Sequence, residues 1–485
     1  MTLLSDTDPV VASLGAFAAL PEWLAAPMDG ARVGDSLVRH VPELADGRLT
    51  LLSCTPQRLR AKDQEWVARY QLSVSPLGAE PRDVVLVGNL WAPSQQPSPE
   101  PTSTDDVPFG EEGWSCWMPD LRLALRHEES DEALPALPML VEPEASAQLL
   151  QPIIRAAGYP DATIASCDPV VVRYKPGSRC TVVVGVTYAD HSQPSPPTPV
   201  VLKTHQGDKG QTAWAAMTEL WKASSWRGVL DMAEPLAYLP EERILVQGPV
   251  PEDITLKELA RNAFAEGSPE LIDALRVELA QTGRALAALH QSGAVYGLTA
   301  TLEDEIAEVR EVIDRLALTV PELEGAAEPL LERLAEMGLE YPADPIVPAH
   351  HDFRPAQVLL HQGSLGFIDF DGASMAEPAL DLGRFRAKLR DIGISSLIYT
   401  GQPLSGQPLA DNLALLDGLC EDFLAAYLEY GQVSRQRVLM WETCDLVTGM
   451  LHAWTKVRLV RVEPRLAVLL HQLRISGMVD APPEL

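Results

Sequence analysis

The segment AHHDFRPAQVLLHQGSLGFIDFDG, residues 349–372, gathers histidines, carboxylates and an amide at spacings that could do chemistry. His350 and Asp352 precede the amide Gln357, and a second apolar run ends on Ile368-Asp369. A metal cluster of His350, His351 and His361 is disfavoured, because adjacent residues of an extended chain point to opposite sides. Phosphoryl transfer fits better. It needs a carboxylate to take the proton of an attacking hydroxyl, and oxygen ligands to hold Mg²⁺ against the phosphates of a nucleotide. Asp352 suits the first task; Gln357 and Asp369 suit the second. The elements that must position them are local: VLL and LGFI read as short strands joined by HQGS, bringing Gln357 and Asp369 to neighbouring ends of a hairpin.

HHDFRPAQVLL and FIDFDGASMAEPALDLG together resemble the catalytic loop and metal-binding segment of the aminoglycoside phosphotransferase and choline kinase-like family, relatives of protein kinases in fold. The family pattern is His-x-Asp-(x)4-Asn, then Ile-Asp and, further on, Asp-Pro-(x)2-Asp-Leu. The resemblance implies Asp352 as catalytic base, Gln357 and Asp369 as Mg²⁺ ligands, and His350 and Asp381 as supports of the loop. Gln357 stands where Asn is usual and Glu377-Pro378 replaces Asp-Pro. Gln keeps the ligand type on a side chain one methylene longer, and some sugar kinases of this superfamily, maltokinase-like ones among them, resemble this sequence in carrying Gln; the chain as a whole resembles the maltokinase-like or amino-sugar kinases of the family.

A kinase-like site also needs a strand lysine to pair phosphates, an acid on the following helix to position it, and a backbone-rich turn over the phosphates. Lys203 ends VVLK, Glu219 follows in QTAWAAMTELWKASS, and Lys175-Pro-Gly177-Ser178-Arg179 turns between two Val-rich stretches. Gly177 permits close approach to a phosphate, while Ser178 and Arg179 offer donors. RILVQGPVPED reads as the strand and linker between lobes, with the backbone from Gln247 to Val250 facing an adenine. On the acceptor side, Glu442 and Asp445 share a helix face beside Trp441, an arrangement for an amine or sugar hydroxyls; a solvent-facing helix is the competing reading.

The rest of the chain bounds these readings. At 485 residues it exceeds one ordinary core. The front half is rich in Val-rich strands and the part after about 252 in helical periodicity. The expected fold is α+β and bilobal, protein-kinase-like, with an additional N-terminal β-containing module: 1–108 as that module ending in a Pro/Ser-rich linker, 109–250 as nucleotide lobe, 251–485 as helical lobe. Cys54, Pro56, Arg60 and Lys62 match Cys167, Pro169, Arg173 and Lys175 at identical offsets, each set followed by Val-Val-Leu; only the second run continues to a lysine, the first to Val87. Duplication of a β unit and coincidence both remain open.

A net charge of −30 opposes binding to nucleic acid and anionic membranes. No apolar run of about 18 residues reads as a membrane span, the N-terminus lacks the basic region of a secretory signal, and six scattered cysteines suggest neither zinc nor disulfides. The expectation is a cytoplasmic phosphotransferase using ATP and Mg²⁺ on a hydroxyl of a small molecule: a sugar, an amino sugar or an aminoglycoside-like compound. The alternative is a catalytically weak, kinase-like binding or regulatory protein.

Overall fold

The computed structural model describes residues 8–479, apart from residue 19 and the segments 63–64, 100–101, 103–106, 129–133, 190–194 and 224–225. The fold is mixed α+β with largely antiparallel sheets. The chain divides into two compact units: Met1–Ser130 with Glu305–Glu336 and Leu446–Leu485, and Asp131–Asp304 with Met337–Asp445.

The first unit is built on a five-stranded sheet: β1 (Leu49–Lys62), β2 (Glu65–Pro76), β3 (Arg82–Leu90), β4 (Ser115–Met118) and β5 (Leu123–His127), in the order β1-β2-β3-β5-β4. Alternation buries Trp66, Ala68, Tyr70, Leu72 and Val74 of β2 and leaves the residues between them half-exposed. The helix Gly30–His40, whose Asp29 cap accepts from Ala31 N at 2.9 Å, packs on β1. From the later segments, Thr319 accepts the indole N–H of Trp66 at 3.1 Å, and Trp454 meets Phe17 edge to face.

The expected domain boundaries shift accordingly. Strands β4 and β5 complete this first sheet, so it does not end at 108. The expected helical lobe is divided, because 305–336 and 446–485 cluster with the first unit. The Pro-rich stretches at 93–106 and 190–199 lie partly outside the described residues.

The second unit begins with the helices Leu137–Val141 and Pro143–Ala156, followed by β6 (Ile164–Lys175), β7 (Arg179–Tyr188) and β8 (Val200–His205). After the helix Lys209–Ala223 come β9 (Asp231–Met232), β10 (Pro235–Leu239) and β11 (Ile244–Gln247). The five-stranded order is β10-β11-β8-β7-β6, and one face buries Val182, Val184, Val200, Leu202, Ile244 and Val246 against Leu150 and Ile154. A second sheet joins β12 (Ile254–Thr255), β14 (Val358–His361), β15 (Ser364–Phe367) and β9; β13 (Val347–Ala349) pairs with β16 (Ser374–Ala376). Thr255 and Glu258 form a reciprocal cap where the helical part begins. Its long helices include Pro269–His290, Ala379–Tyr399 and Gly406–Leu428. No single helix among the described residues is long and apolar enough to cross a membrane.

Candidate active site

Everything expected to touch phosphate or metal belongs to the second unit. Lys203 lies on β8, and cross-strand pairing places Arg173, Thr181, Lys203 and Leu245 in one row across β6, β7, β8 and β11. The next row on the same face, two residues along, is Val170, Val183, Val201 and Gln247. Cations therefore stand beside an apolar strip on one face of the sheet.

The loop that carries Asp352 is fixed from beneath. Asp381, fully buried in the first turn of Ala379–Tyr399, accepts the backbone N–H groups of His350 and His351, both at 2.7 Å, and lies 3.1 Å from His290 Nε2. Burial opposes its ionisation, but the His290 contact, the nearby His350 and these backbone donors outweigh it and hold the carboxyl below its usual range. His350 Nε2 is 2.9 Å from Ile368 O, tying the loop to the segment that carries Asp369. Burial, with the charge of Arg384, lowers the His351 pKa to about 4, and its Nδ1 lies 2.8 Å from Ser374 Oγ.

Gln357 and Asp369 stand at the open end of the β14–β15 hairpin, where Ile368 N donates to Gln357 O at 3.1 Å. The Gln357 amide nitrogen lies 3.4 Å from both Asp352 and Asp369, and its oxygen accepts from Arg354 Nε at 2.7 Å. Arg354 also reaches Asp352 at 3.0 Å. The Asp352 side chain is 42% exposed and that of Asp369 14%, so an incoming hydroxyl has access to the first. Asp369 pairs with Lys203 at 2.9 Å and with Arg179 at 3.8 Å. Burial alone would raise its pKa; Lys203 and Arg179 hold it far below the carboxylate range. Conversely, burial lowers the Lys203 pKa but Asp371 and Asp369 more than compensate.

Gly177 has φ +66 in the β6–β7 turn, Ser178 donates to Lys175 O at 3.0 Å, and Arg179 opens β7. Gln247 ends β11, buried, and Val250 packs on β15: a Cβ on Gly366 would lie 2.4 Å from Val250 Cγ1.

Two groups of expectations are displaced. Glu219 does not reach Lys203; its side chain is 42% exposed and pairs with Lys222 at 2.7 Å. Its place on the helix explains this, since Ala213, Ala216, Met217 and Leu220 form the buried face. Glu442, Asp445 and Trp441 form no acceptor surface and are not solvent-facing either. Glu442 is fully buried between Arg386 (2.7 Å) and Arg390 (2.5 Å); Asp445 pairs with Arg384 at 3.0 Å and with Lys388; Trp441 donates to Glu377 at 2.6 Å. These acids cement two helices because unpaired buried carboxylates are costly.

Sequence reasoning missed Arg173, His205 and Arg354 as neighbours of the phosphate-side groups, and left Asp371 without a role. Burial and the charge of Arg179 lower the Arg173 pKa while Asp369 and Asp371 oppose them, which puts this arginine within their field. A signal existed for His205: in a strand, residue i+2 shares the face of residue i, so His205 follows Lys203 toward the site.

Among His, Cys, Asp and Glu side chains of the described residues, no group of three could hold a metal ion. The donor set here is one carboxylate, Asp369, and one amide oxygen, Gln357. That suits Mg²⁺, which takes few protein ligands and completes its shell with phosphate oxygens and water.

Residues 199–397 match the phosphotransferase enzyme family. The matched stretch runs from β8 into the helix Ala379–Tyr399 and contains Lys203, Asp352, Gln357, Asp369 and Asp381. No curated protein matches the chain. Solved structures similar to it include a glucosamine kinase in complex with glucosamine, ADP and inorganic phosphate (18% identity, 96% of this chain and 100% of that one, TM-score 0.46). Another is glucosamine kinase in crystal form A (17% identity, 95% and 100%, TM-score 0.49). A choline/ethanolamine kinase family protein from Mesorhizobium loti shares 16% identity over 67% of this chain and 94% of that one, with a TM-score of 0.44.

Proposed function

We propose that the protein transfers the terminal phosphoryl group of ATP to a hydroxyl of a small molecule, in the class of sugars, amino sugars and aminoglycoside-like compounds. The observation carrying this reading is the convergence of Lys203, Asp352, Gln357 and Asp369, from one sheet, one loop and one hairpin, into a single hydrogen-bonded cluster.

Each group has a task that its surroundings fit. The row Val170, Val183 and Val201 offers an apolar wall to a base, with the Gln247–Val250 backbone beside it. Lys203 and Arg179 supply charge for the donor phosphates. Asp352, the most open of the carboxylates, orients the acceptor hydroxyl and takes its proton as the oxygen–phosphorus bond forms and ADP leaves. Arg354 at 3.0 Å keeps that carboxylate in place. Mg²⁺, held by Asp369 and the Gln357 amide oxygen, would neutralise charge on the phosphates.

Thermal denaturation with and without ATP and Mg²⁺ is the first test: at 100 times Kd, bound nucleotide stabilises by about 2.7 kcal/mol. ATP consumption over a panel of sugars, amino sugars, aminoglycosides and choline then finds the acceptor. Asp352→Asn should lower kcat by about 10²–10⁴-fold, the contribution of a general base, and leave the nucleotide-induced shift in place. No shift at millimolar nucleotide, or unchanged turnover in the variant, would sink the reading. Binding with no turnover across the panel would favour the regulatory alternative.

A further inference from the structure

Lys203 lacks the partner that its place in such a site calls for. The neighbouring helix, Lys209–Ala223, turns Gly210, Ala213, Ala216, Met217 and Leu220 inward, and its only glutamate, Glu219, lies on the outer side with Lys222. A lysine held in one rotamer beside the phosphates spares the entropy of fixing it on each binding event. Asp369 touches Lys203 at 2.9 Å, yet Asp369 is also the one carboxylate of the metal pair, so it cannot serve the lysine alone.

A second carboxylate is present. The inward face of that helix packs on the single turn Phe370–Gly372, which delivers Asp371 into the space a helix acid would otherwise fill. Asp371 is buried, and its Oδ1 lies 3.7 Å from Lys203 Nζ, with no hydrogen bond of its own among the described residues. Its Oδ2 faces His205 Nε2 at 2.8 Å and Arg179 at 3.4 Å. The His205 contact is close, yet neither ring nitrogen of His205 has a hydrogen bond among the described residues. Arg179 thus holds one oxygen of Asp371, with His205 packed against it, and the other, without a hydrogen bond, lies beside the lysine.

We propose that Asp371 is the positioning residue of Lys203, held by His205 and Arg179, and that it replaces the helix glutamate, which here has no catalytic part. The role rests on the proposed nucleotide site. It assigns the lysine clamp to the turn after Asp369 rather than to the helix.

The test is a double-mutant cycle on the Kd of ATP with Mg²⁺, measured by calorimetric titration of the full chain. Asp371→Asn should weaken binding about 10- to 100-fold, as for removal of a buried opposite charge 3.7 Å from the lysine. In a Lys203→Ala background the same change should do nothing further, since the groups act as one unit. A structural role for Asp371 would instead give equal losses in both backgrounds. Glu219→Gln should stay within about twofold, as for an exposed pair, and Asp371→Glu should recover part of the loss. If the wild type binds nucleotide and Asp371→Asn binds equally well, the proposal is overturned and the kinase reading survives; if the wild type binds none, both fall. Should Asp371→Asn not fold, Glu219→Gln still decides, because a tenfold or greater loss there returns the clamp to the helix.

Discussion

The two five-stranded sheets of this protein share a plan and differ in equipment. In each, three strands form a meander and the fifth strand lies between the third and the fourth: β1-β2-β3-β5-β4 and β6-β7-β8-β11-β10. Of the two bulges in each opening strand the first falls at the same place, since Leu51/Ser53 stands to Cys54 as Ile164/Ser166 stands to Cys167, while the second, Pro56/Arg58 against Val171/Arg173, is two residues out of step. A duplicated unit would show this agreement. The two sheets part after the third strand: the second continues into a helix, Lys209–Ala223, and the first into a Pro-rich stretch with no helix among its described residues. The row holding Lys203 runs Arg173, Thr181, Lys203, Leu245; its counterpart through Arg60 runs Arg60, Val67, Asn89, Ala124. The counterpart of Lys203 is therefore Asn89, two residues beyond the Val87 that aligning the Val-Val-Leu runs suggests. A common scaffold does not make a phosphate site; the residues on one face of it do.

The largest effect that could break this contrast is on turnover. Lys203→Ala should cost about 10²–10³-fold in kcat, as for loss of one preorganised donor to a developing charge. Asn89→Ala should leave kcat unchanged within error. Comparable losses in steady-state assays of the two variants would mean that the first sheet also serves the reaction.

In the two cores the shared plan predicts likeness instead of contrast. Leu86 on β3 and Leu202 on β8 are both fully buried on the packed face of their sheets. Truncation of either to alanine should destabilise its own unit by about 3 kcal/mol, within the usual range for buried leucine. Chemical denaturation followed by site-specific probes in each unit measures this. A negligible loss for Leu86→Ala would show that the first sheet is not the core of an independent scaffold.

Much of the site was legible because it is local. Asp352, Gln357 and Asp369 fall within one segment whose strand and turn pattern fixes their relation, and Lys203 is marked by the valines before it. The lysine clamp was not legible, because Glu219 and Asp371 are separated in sequence and only packing of the helix on the turn after Asp369 chooses between them. The helical period did carry a hint: Ala213, Ala216, Met217 and Leu220 define an apolar face that excludes Glu219. For Glu442 and Asp445 the misreading has the same origin. Two acids on one helix face look like a binding surface until the arginines of Ala379–Tyr399, distant in sequence, are brought against them. The unit boundaries were hidden likewise, since 305–336 and 446–485 join the first unit only through non-local contacts.

The smallest of these effects concerns the first turn of each meander. Gly177 holds φ +66 between β6 and β7, whereas the sequence joining β1 to β2, Lys62-Asp63-Gln64-Glu65, contains no glycine. A Cβ added at Gly177 would meet nothing within 4 Å, so Gly177→Ala tests backbone conformation without a clash. The left-handed conformation costs an alanine about 1–2 kcal/mol. That cost falls on the turn carrying Ser178 and Arg179, and either stability or nucleotide affinity must show it. If the turn is already fixed in the free protein, thermal stability drops and the Kd for ATP stays constant. If the turn relaxes when free and adopts this shape only over the phosphates, the Kd rises about 5- to 30-fold while stability is unchanged, by the same free energy. Measuring both for Gly177→Ala decides whether the second sheet's phosphate turn is preorganised; no change in either would remove Gly177 from the site.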